Sequence, residues 1–422
     1  MIFGSNGNTR MKTLAGALVL GFTAIASAAH AGTTLVGGGA TLPALGYGGD
    51  VTHRQITPVT GSFLYVYSAQ AGNPQTSYCQ TGSGAGKNIL AGVSGTSVQN
   101  ACPDGSATPT GFGAAAVGRS DLTQPNFAGA DSPLSASDYS NYVTNRSSSF
   151  PVEFPAVAGA VAIAFDKSGV DTLNLTDAQV CQIFSGQVTD WSQISSASGP
   201  INVVFRSDGS GTTFGFSNHL SAVCGGTAAS HFVTDQAFTN VVAKYQSTLP
   251  SNWVGQSGNP NVANYVANND GTIAYVEAAN AANDGLLYAT VNNLDPINDF
   301  GNAALPISSS SVNYNYVISG ANATTGRPTM AAISGAPSTQ CIALVDPSAY
   351  ANPSSGYPIV AVSYLLANSA NNGSDKTAVQ NLMWAPYNST ITGSVKTIGK
   401  ATGLSFLSTS FTQTQVQGCV GA

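Results

Sequence analysis

RSDGSGTT, at residues 206–213, is the stretch that decides how the rest of this sequence is interpreted. It follows the apolar residues 201–205, and this order predicts a strand, a tight glycine-containing turn and the start of a helix. The first N–H groups of a helix lack intrahelical partners and carry partial positive charge, which favours an anion. Arg206 adds a permanent charge with a planar fork of donors. The stretch predicts either an anion-binding turn or an ordinary polar turn that caps a helix.

The first 31 residues have the parts of a secretory signal peptide. Met11 and Lys12 open a lightly basic start, an apolar run covers 14–29, and Ala29-His30-Ala31 matches a small-x-small cleavage site. No second run approaches the ~20 apolar residues that span a bilayer. The first cysteine after the cleavage site is Cys79, so no N-terminal cysteine is available for a lipid anchor. We therefore expect a protein of the periplasm or one that is secreted.

The mature chain is predicted to be acidic and poor in charged residues. Removal of Arg10 and Lys12 moves the formal net charge from −6 to −8, because residues 1–31 contain no acidic residue. This charge argues against nucleic acid and anionic membrane surfaces as partners. Charged residues make up only 8% of the sequence, so Ser, Thr, Asn, Gln and Gly must form most of the surface. A chain of this length is expected to form two lobes.

Six cysteines form an even set without CxxC spacing, which in an exported chain favours disulfide bonds over a zinc site. Six cysteines allow fifteen pairings, and the sequence alone does not select one. We expect local closure: Cys79 with Cys102, Cys181 with Cys224, and Cys341 with Cys419. The third bond would hold the C-terminus.

Two further glycine-rich turns could contribute groups to an anion site. GGGATLP at 37–43 follows a short β-prone run and offers the Thr41 hydroxyl with the N–H groups of Thr41 and Leu42. TGSGAGKN at 81–88 is similar to a phosphate loop, but that pattern requires glycine at its first position and Ser or Thr at its last. We therefore predict no phosphate loop here, and expect only Ser83 and its neighbouring amides to act as donors. A helix that contains Ile89 and Leu90 is predicted to follow them.

Asp121, in GRSDL at 118–122, is the one acceptor among these candidate groups. A carboxylate repels an anion unless the anion carries a proton to donate, as phosphate does at neutral pH and sulfate does not. Asp121 in a pocket of donors would therefore select hydrogen phosphate. The alternative interpretation is a helix N-cap, where Asp is common.

Periodicity predicts several other elements. The uncharged apolar residues 154–165 predict a buried strand, or a strand pair, that crosses between lobes. Helices are predicted at 176–184 and beyond Thr213. Residues 128–150, rich in Ser and Asn, predict a surface excursion, and the alternating run at 63–67 predicts a strand.

Seven motifs occur in one order: GGATLP at 38–43, GSG at 82–84, Ser120-Asp121, the 183–191 segment from IFSG to Trp191, RSDGSGTT at 206–213, GTIAYVE at 271–277 and YPIV at 357–360. Together they resemble the high-affinity phosphate-binding proteins of bacterial ABC importers. Within them the chain is similar to the DING branch, although Thr34-Leu35-Val36 replaces the Asp-Ile-Asn start of that branch. The resemblance implies the class II periplasmic-binding-protein fold, in which two α/β lobes with mixed sheets and flanking helices are joined by two crossing strands. It implies lobes at 32–152 with 357–422 and at 153–356.

The resemblance also implies a binding site in the hinge cleft. By similarity, the residues that touch phosphate are Thr41, Leu42 through its amide, Ser83, Asp121 as the acceptor, Arg206, Ser210, Gly211 and Thr212. Asp208 would orient Arg206 without touching the ligand. No cofactor or metal is implied, and the expected partners of a monomer are inorganic phosphate and an ABC permease at the inner membrane.

Two other functions fit the sequence. A secreted phosphatase would use the same cleft for a phosphomonoester, but the chain has no Gly-x-Ser-x-Gly elbow. Its mature histidines, His53, His219 and His231, lack metal spacing, and we expect them to be surface or half-buried residues. A secreted interaction protein that kept the fold and lost the ligand would also agree with the low charge.

Overall fold

The computed structural model describes residues 33–96, 102, 111–300, 309–408 and 410–422. The predicted signal peptide lies outside the described residues. The strands in the described part are β1 (Leu35–Gly39), β2 (Gln55–Ile56), β3 (Thr76–Gln80), β4 (Phe127–Ala130), β5 (Pro151–Asp166), β6 (Asn174–Leu175), β7 (Asn202–Arg206), β8 (Val254–Gln256), β9 (Thr272–Glu277), β10 (Leu287–Val291), β11 (Val312–Tyr314), β12 (Tyr316–Ala321), β13 (Pro328–Ala332), β14 (Ala343–Val345), β15 (Val360–Asn368) and β16 (Leu404–Phe406). The helices are α1 (Ala44–Gly48), α2 (Phe63–Ser68), α3 (Ser83–Leu90), α4 (Ala136–Asn145), α5 (Asp177–Phe184), α6 (Gly211–Val223), α7 (Phe238–Val241), α8 (Gly258–Ala267), α9 (Ala278–Asn283), α10 (Lys376–Trp384), α11 (Ser389–Thr392) and α12 (Gln413–Gly418).

One mixed sheet organises the chain, with the strand order β2-β3-β1-β4-β15-β5-β9-β7-β8. Strands β1, β3 and β4 run parallel on one side of the central pair β15-β5, and β7, β8 and β9 run parallel on the other. We call these two sides, with their flanking helices, the first and the second lobe. Their predicted boundaries at 153 and 357 stay a prediction.

The long strand β5 belongs to both lobes. Its first part pairs antiparallel with β15, from Pro151 opposite Asn368 to Ala160 opposite Val360. Its second part pairs antiparallel with β9, from Val161 to Asp166. All its residues except the last are buried, as expected for a strand covered on both faces. The predicted crossing is confirmed, as a single strand of 16 residues.

Two predictions of local structure were wrong. Residues 63–67 begin helix α2, where only Tyr65 is exposed, because a run of this length fits both the helical and the strand period. The prediction of a surface excursion at 128–150 was wrong for residues 128–134, which are buried and include most of strand β4. The helix α4 that follows lies at the surface, and Tyr142 is its one buried residue. Helix α4 begins with a capping box in which Ser135 and Asp138 exchange hydrogen bonds, a signal that the sequence did carry.

Other predictions are confirmed. Thr176 caps α5, α6 follows the 206–210 turn, and α3 contains Ile89 and Leu90. The three disulfide bonds pair as expected: Cys79–Cys102, Cys181–Cys224 and Cys341–Cys419. Among the described helices, none has the length and apolarity needed to cross a membrane.

Removing the Cys341–Cys419 bond by a double Ala substitution should lower the free energy of unfolding by about 4 kcal/mol, because the bond closes a long loop in the unfolded chain. Its cysteines are separated by 78 positions, against 23 for Cys79–Cys102. The matched control, the double Ala variant at Cys79 and Cys102, should lose about 3 kcal/mol. Chemical denaturation measures both values. An unchanged unfolding free energy in the first variant would show that this bond does not hold the C-terminal segment.

Candidate anion-binding site

The second lobe contributes the turn between β7 and α6. Ser210 is the N-cap of α6, and its Oγ accepts the Thr213 N–H at 3.0 Å. The N–H groups of Gly211 and Thr212 belong to the first turn, where a helix provides them no partner. The predicted strand, turn and helix are therefore confirmed. The positive end of the α6 dipole lies at these N–H groups.

Arg206 is the central charge of this turn, and only 2% of it is exposed. Its Nε and Nη2 donate to the two carboxylate oxygens of Asp208 at 2.6 and 2.5 Å. Burial lowers the pKa of the Arg206 guanidinium, but the charge and hydrogen bonds of Asp208 hold it above the ordinary value. The predicted orienting contact of Asp208 is thus present, and Arg206 stays charged.

The first lobe brings the carboxyl ends of three parallel strands to one edge. Thr41 follows β1, Ser83 follows β3, and Asp131 follows β4 directly. All three residues are at most 1% exposed. Because parallel strands end at the same edge of a sheet, the groups that follow them meet there, and this edge faces α6.

Asp131 is the acceptor that this edge provides. Its N–H donates to Ser83 Oγ at 3.0 Å, and Ser83 Oγ lies 3.3 Å from Asp131 Oδ2. Oδ1 is buried and has no hydrogen-bond partner. Burial raises the pKa of Asp131 to about 7, although the nearby Ser363 hydroxyl and the charge of Arg206 lower it. The Ser363 hydroxyl and the Leu42 N–H lie near enough to lower the pKa of Asp131, but neither makes a hydrogen bond to Oδ1, so this oxygen can accept one from a ligand.

Asp121, which we predicted as this acceptor, lies elsewhere. It precedes β4 whereas Asp131 follows it, so the two residues stand at opposite ends of one strand. The Asp121 side chain is 62% exposed and is paired with Arg119, which also binds Asp375 at 2.8 Å. The small residues before Asp121 form a 3-10 turn, so Asp121 does not follow a strand of the sheet and does not lie with Thr41 and Ser83. The signal that could have found Asp131 is FAGADS at 127–132, a short strand followed by Asp-Ser.

The two lobes touch across the site. Gly84 N–H donates to Gly209 O at 2.9 Å. A Cβ atom at Gly211 would lie 2.3 Å from Asp131 Cβ and 2.6 Å from Ser83 Oγ. Only glycine allows this approach, which brings the first turn of α6 against the acceptor.

Sequence reasoning missed Asn259 and Arg54. Asn259 is fully buried at the start of α8. Its Oδ1 accepts a hydrogen bond from Arg206 Nη1 at 3.2 Å, and its Nδ2 donates one to Thr212 Oγ1 at 3.2 Å. Its N–H also donates to Thr41 Oγ1 in the other lobe at 3.3 Å. Arg54 is half-buried, donates to Gln80 O at 2.8 Å and adds a second positive charge near Asp208. The pattern SGN at 257–259, a turn after a strand, was the available signal for Asn259.

The predicted residues that the fold brings to this edge and turn are Thr41, Leu42, Ser83, Arg206, Asp208, Ser210, Gly211 and Thr212. They are donors, except for Asp208, whose carboxylate is already engaged by Arg206. In the described ranges, no group of three or more His, Cys, Asp or Glu residues could hold a metal ion. The arrangement can bind an anion that both accepts hydrogen bonds and donates a proton to Asp131.

Comparisons with known proteins identify relatives over part of the chain. The chain is 34% identical over 254 residues to Alkaline phosphatase L of Pseudomonas aeruginosa PAO1. The aligned residues cover 57% of this chain and 55% of that protein. It is 31% identical over 179 residues to Phosphate-binding protein PstS of Xylella fastidiosa Temecula1, covering 40% of this chain and 44% of that protein. The chain therefore spans about half the length of these curated relatives.

Solved structures share the fold over most of the chain. A phosphate-binding protein from Stenotrophomonas maltophilia is 26% identical, with a TM-score of 0.58 over 85% of this chain and 84% of that one. The phosphate-bound PfluDING protein, at 23% identity, has a TM-score of 0.62 over 92% of this chain and 99% of that one, which supports the two-lobed class II fold. Residues 51–383 match the family described as the PBP superfamily domain, and the chain belongs to that superfamily.

Proposed function

We propose that this protein binds one hydrogen phosphate ion between its two lobes. The observation that carries the proposal is the buried Asp131 carboxylate. Its Oδ1 has no hydrogen-bond partner, and the residues around it offer mainly donors to a ligand. An oxygen of this kind gains a hydrogen bond only from a ligand that brings a proton. Hydrogen phosphate brings one and sulfate does not.

The charges around the site suit an anion. Arg206 neutralises Asp208 through two short contacts and keeps Nη1 beside Thr212 Oγ1 and Asn259 Oδ1. The helix starts at Gly211 and Ser83 add N–H groups with partial positive charge from the two lobes. Contact between the lobes excludes water, which strengthens the hydrogen bonds made inside.

Delivery of the ion to an ABC importer follows from the same proposal. Relatives named phosphate-binding protein PstS and membership of the PBP superfamily support a carrier that works outside the inner membrane. We further propose that the protein is a monomer of the DING-like branch, exported to the periplasm or the medium by residues 1–31.

Hydrolysis of phosphomonoesters is the alternative that the relatives named Alkaline phosphatase L favour. The histidines provide little support for it. His219 and His231 are buried, contrary to our expectation, and their Nδ1 atoms face Ala351 O and Thr227 O at 2.9 Å. The Nε2 of His219 lies 3.3 Å from Asp177 Oδ1, so both ring nitrogens of His219 are engaged. His53 is exposed beside Asp50. Turnover of 4-nitrophenyl phosphate by purified protein, abolished by Arg206→Ala, would favour the enzyme.

Gly211→Ala should weaken phosphate binding about 5- to 150-fold, because the added methyl group would overlap Asp131 Cβ when the lobes meet, and overpacking typically costs 1–3 kcal/mol. Calorimetric titration of phosphate-stripped protein measures the affinity. Gly209→Ala is the matched control, since its Cβ would lie 3.4 Å from Gly84 Cα, an ordinary contact. Equal affinities of the two variants would contradict closure at Gly211.

Asp131→Asn should reduce the preference for phosphate over sulfate by roughly 5- to 150-fold at pH 8. This range corresponds to the 1–3 kcal/mol that an unsatisfied buried polar group costs. In the wild type, sulfate binds only to the form of the protein in which Asp131 is protonated. With the pKa of Asp131 raised to about 7, sulfate affinity should rise about tenfold per unit as pH falls from 9 to 7, then level off. The Asn variant should lack this dependence.

Asp121→Asn is the control for the same titrations. Its side chain is exposed and paired with Arg119, so it should leave the selectivity unchanged. A loss of selectivity in this variant, with none in Asp131→Asn, would return the acceptor role to Asp121.

A further inference from the structure

Lys87 is the lysine of the glycine-rich TGSGAGKN stretch, and the binding site described above does not use it. It lies on α3 one turn after Ser83, and its side chain is only 1% exposed. A buried ammonium group is costly unless its three donors are satisfied. Here Nζ donates to Asp138 Oδ2 at 2.6 Å, Pro133 O at 3.2 Å and Ser132 Oγ at 3.3 Å.

Two of these three contacts reach the 132–135 turn, which connects Asp131 to α4. The rest of the turn is held by two carboxyl groups, those of the buried Glu153 and of Asp138. Glu153 Oε2 accepts the Leu134 N–H at 2.8 Å, and Asp138 Oδ2 accepts the Ser135 N–H at 2.8 Å. Each of the four residues after Asp131 is therefore bonded to Lys87, Asp138 or Glu153.

The charges of this group balance. Burial raises the pKa of Glu153 to about 8, so Glu153 is mostly protonated at neutral pH. Burial also raises the pKa of Asp138, but the charge of Lys87 holds it below the ordinary value. Asp138 is thus the counter-ion of Lys87, and Glu153 fixes the turn to the crossing strand β5 without adding a second charge.

Helix α3 consequently fixes Asp131 from both sides. Ser83, at its start, contacts the N–H and the carboxylate of Asp131, and Lys87, one turn later, holds the two residues that follow Asp131. We propose that Lys87 is a positioning residue that sets the Asp131 carboxylate for its ligand, and so helps to determine selectivity between hydrogen phosphate and sulfate. The inference rests on the proposed binding function. Lys87 itself does not touch the ion.

The test uses Lys87→Met combined with Asp138→Asn, which removes both charges, replaces the aliphatic part of the Lys87 side chain with one of similar length and retains an acceptor at the α4 cap. Phosphate-stripped protein is titrated calorimetrically with inorganic phosphate and with sulfate at pH 8. The ratio of the two affinities should fall about tenfold, mainly through weaker phosphate binding. Ser132→Ala, which removes one hydroxyl and no charge, should lower the ratio about threefold.

Lys167→Met is the matched control. Lys167 is also mostly buried and pairs with Asp270 at 3.5 Å, but both residues lie in the second lobe at the far end of β5. It should keep the wild-type ratio. Thermal unfolding of each variant reports folding, and Ser132→Ala keeps the proposal testable if the double variant unfolds.

Three outcomes are decisive. A reduced ratio in folded double variant and in Ser132→Ala supports positioning by Lys87. A wild-type ratio in both overturns it and leaves the proposed function intact. Failure of the wild-type protein to prefer phosphate overturns the proposed function itself.

Discussion

The buried carboxylate of Asp131 is the constraint to which the rest of the site is fitted. Removing a carboxylate from water is costly, and burial raises its pKa to about 7. The fold offsets this cost with Ser83, the Leu42 N–H and the nearby charge of Arg206. Asp208 neutralises Arg206, so the positive charge at the site is reduced to that of Arg54 and of the helix starts. In the proposed function, selectivity therefore depends on one acceptor among many donors.

The fold brings these groups together through the ends of strands. Asp131, Ser83 and Thr41 follow parallel strands of the first lobe. In the second lobe, Arg206 is the last residue of β7 and Asn259 follows β8. The long strand β5 connects the two lobes. Gly211 allows the first turn of α6 to meet Asp131 and Ser83 without a side chain between them. Closure and selectivity thus use the same few residues, since Gly211 packs directly against Asp131.

The sequence predicts much of this arrangement where several signals agree. The turn at 206–213 combines an apolar strand, glycines, a capping Ser and an Arg, and each of these has its predicted place. The disulfide pairing also agrees with the expectation of local closure. Asp131 escaped prediction because β4 has only four residues, two of them Ala and one Gly, which carry no periodic signal. Asn259 and Lys87 escaped because contacts across the cleft and around a buried turn depend on tertiary packing.

A high-resolution crystal structure of the phosphate complex tests the central claim most directly. It should place one phosphate oxygen about 2.5–2.7 Å from Asp131 Oδ1, the distance of a short O–H···O⁻ hydrogen bond. The remaining oxygens should contact Arg206 and the N–H groups at the start of α6. A phosphate ion bound between the lobes without contact to Asp131, or one bound beside Arg119 and Asp121, would contradict the account.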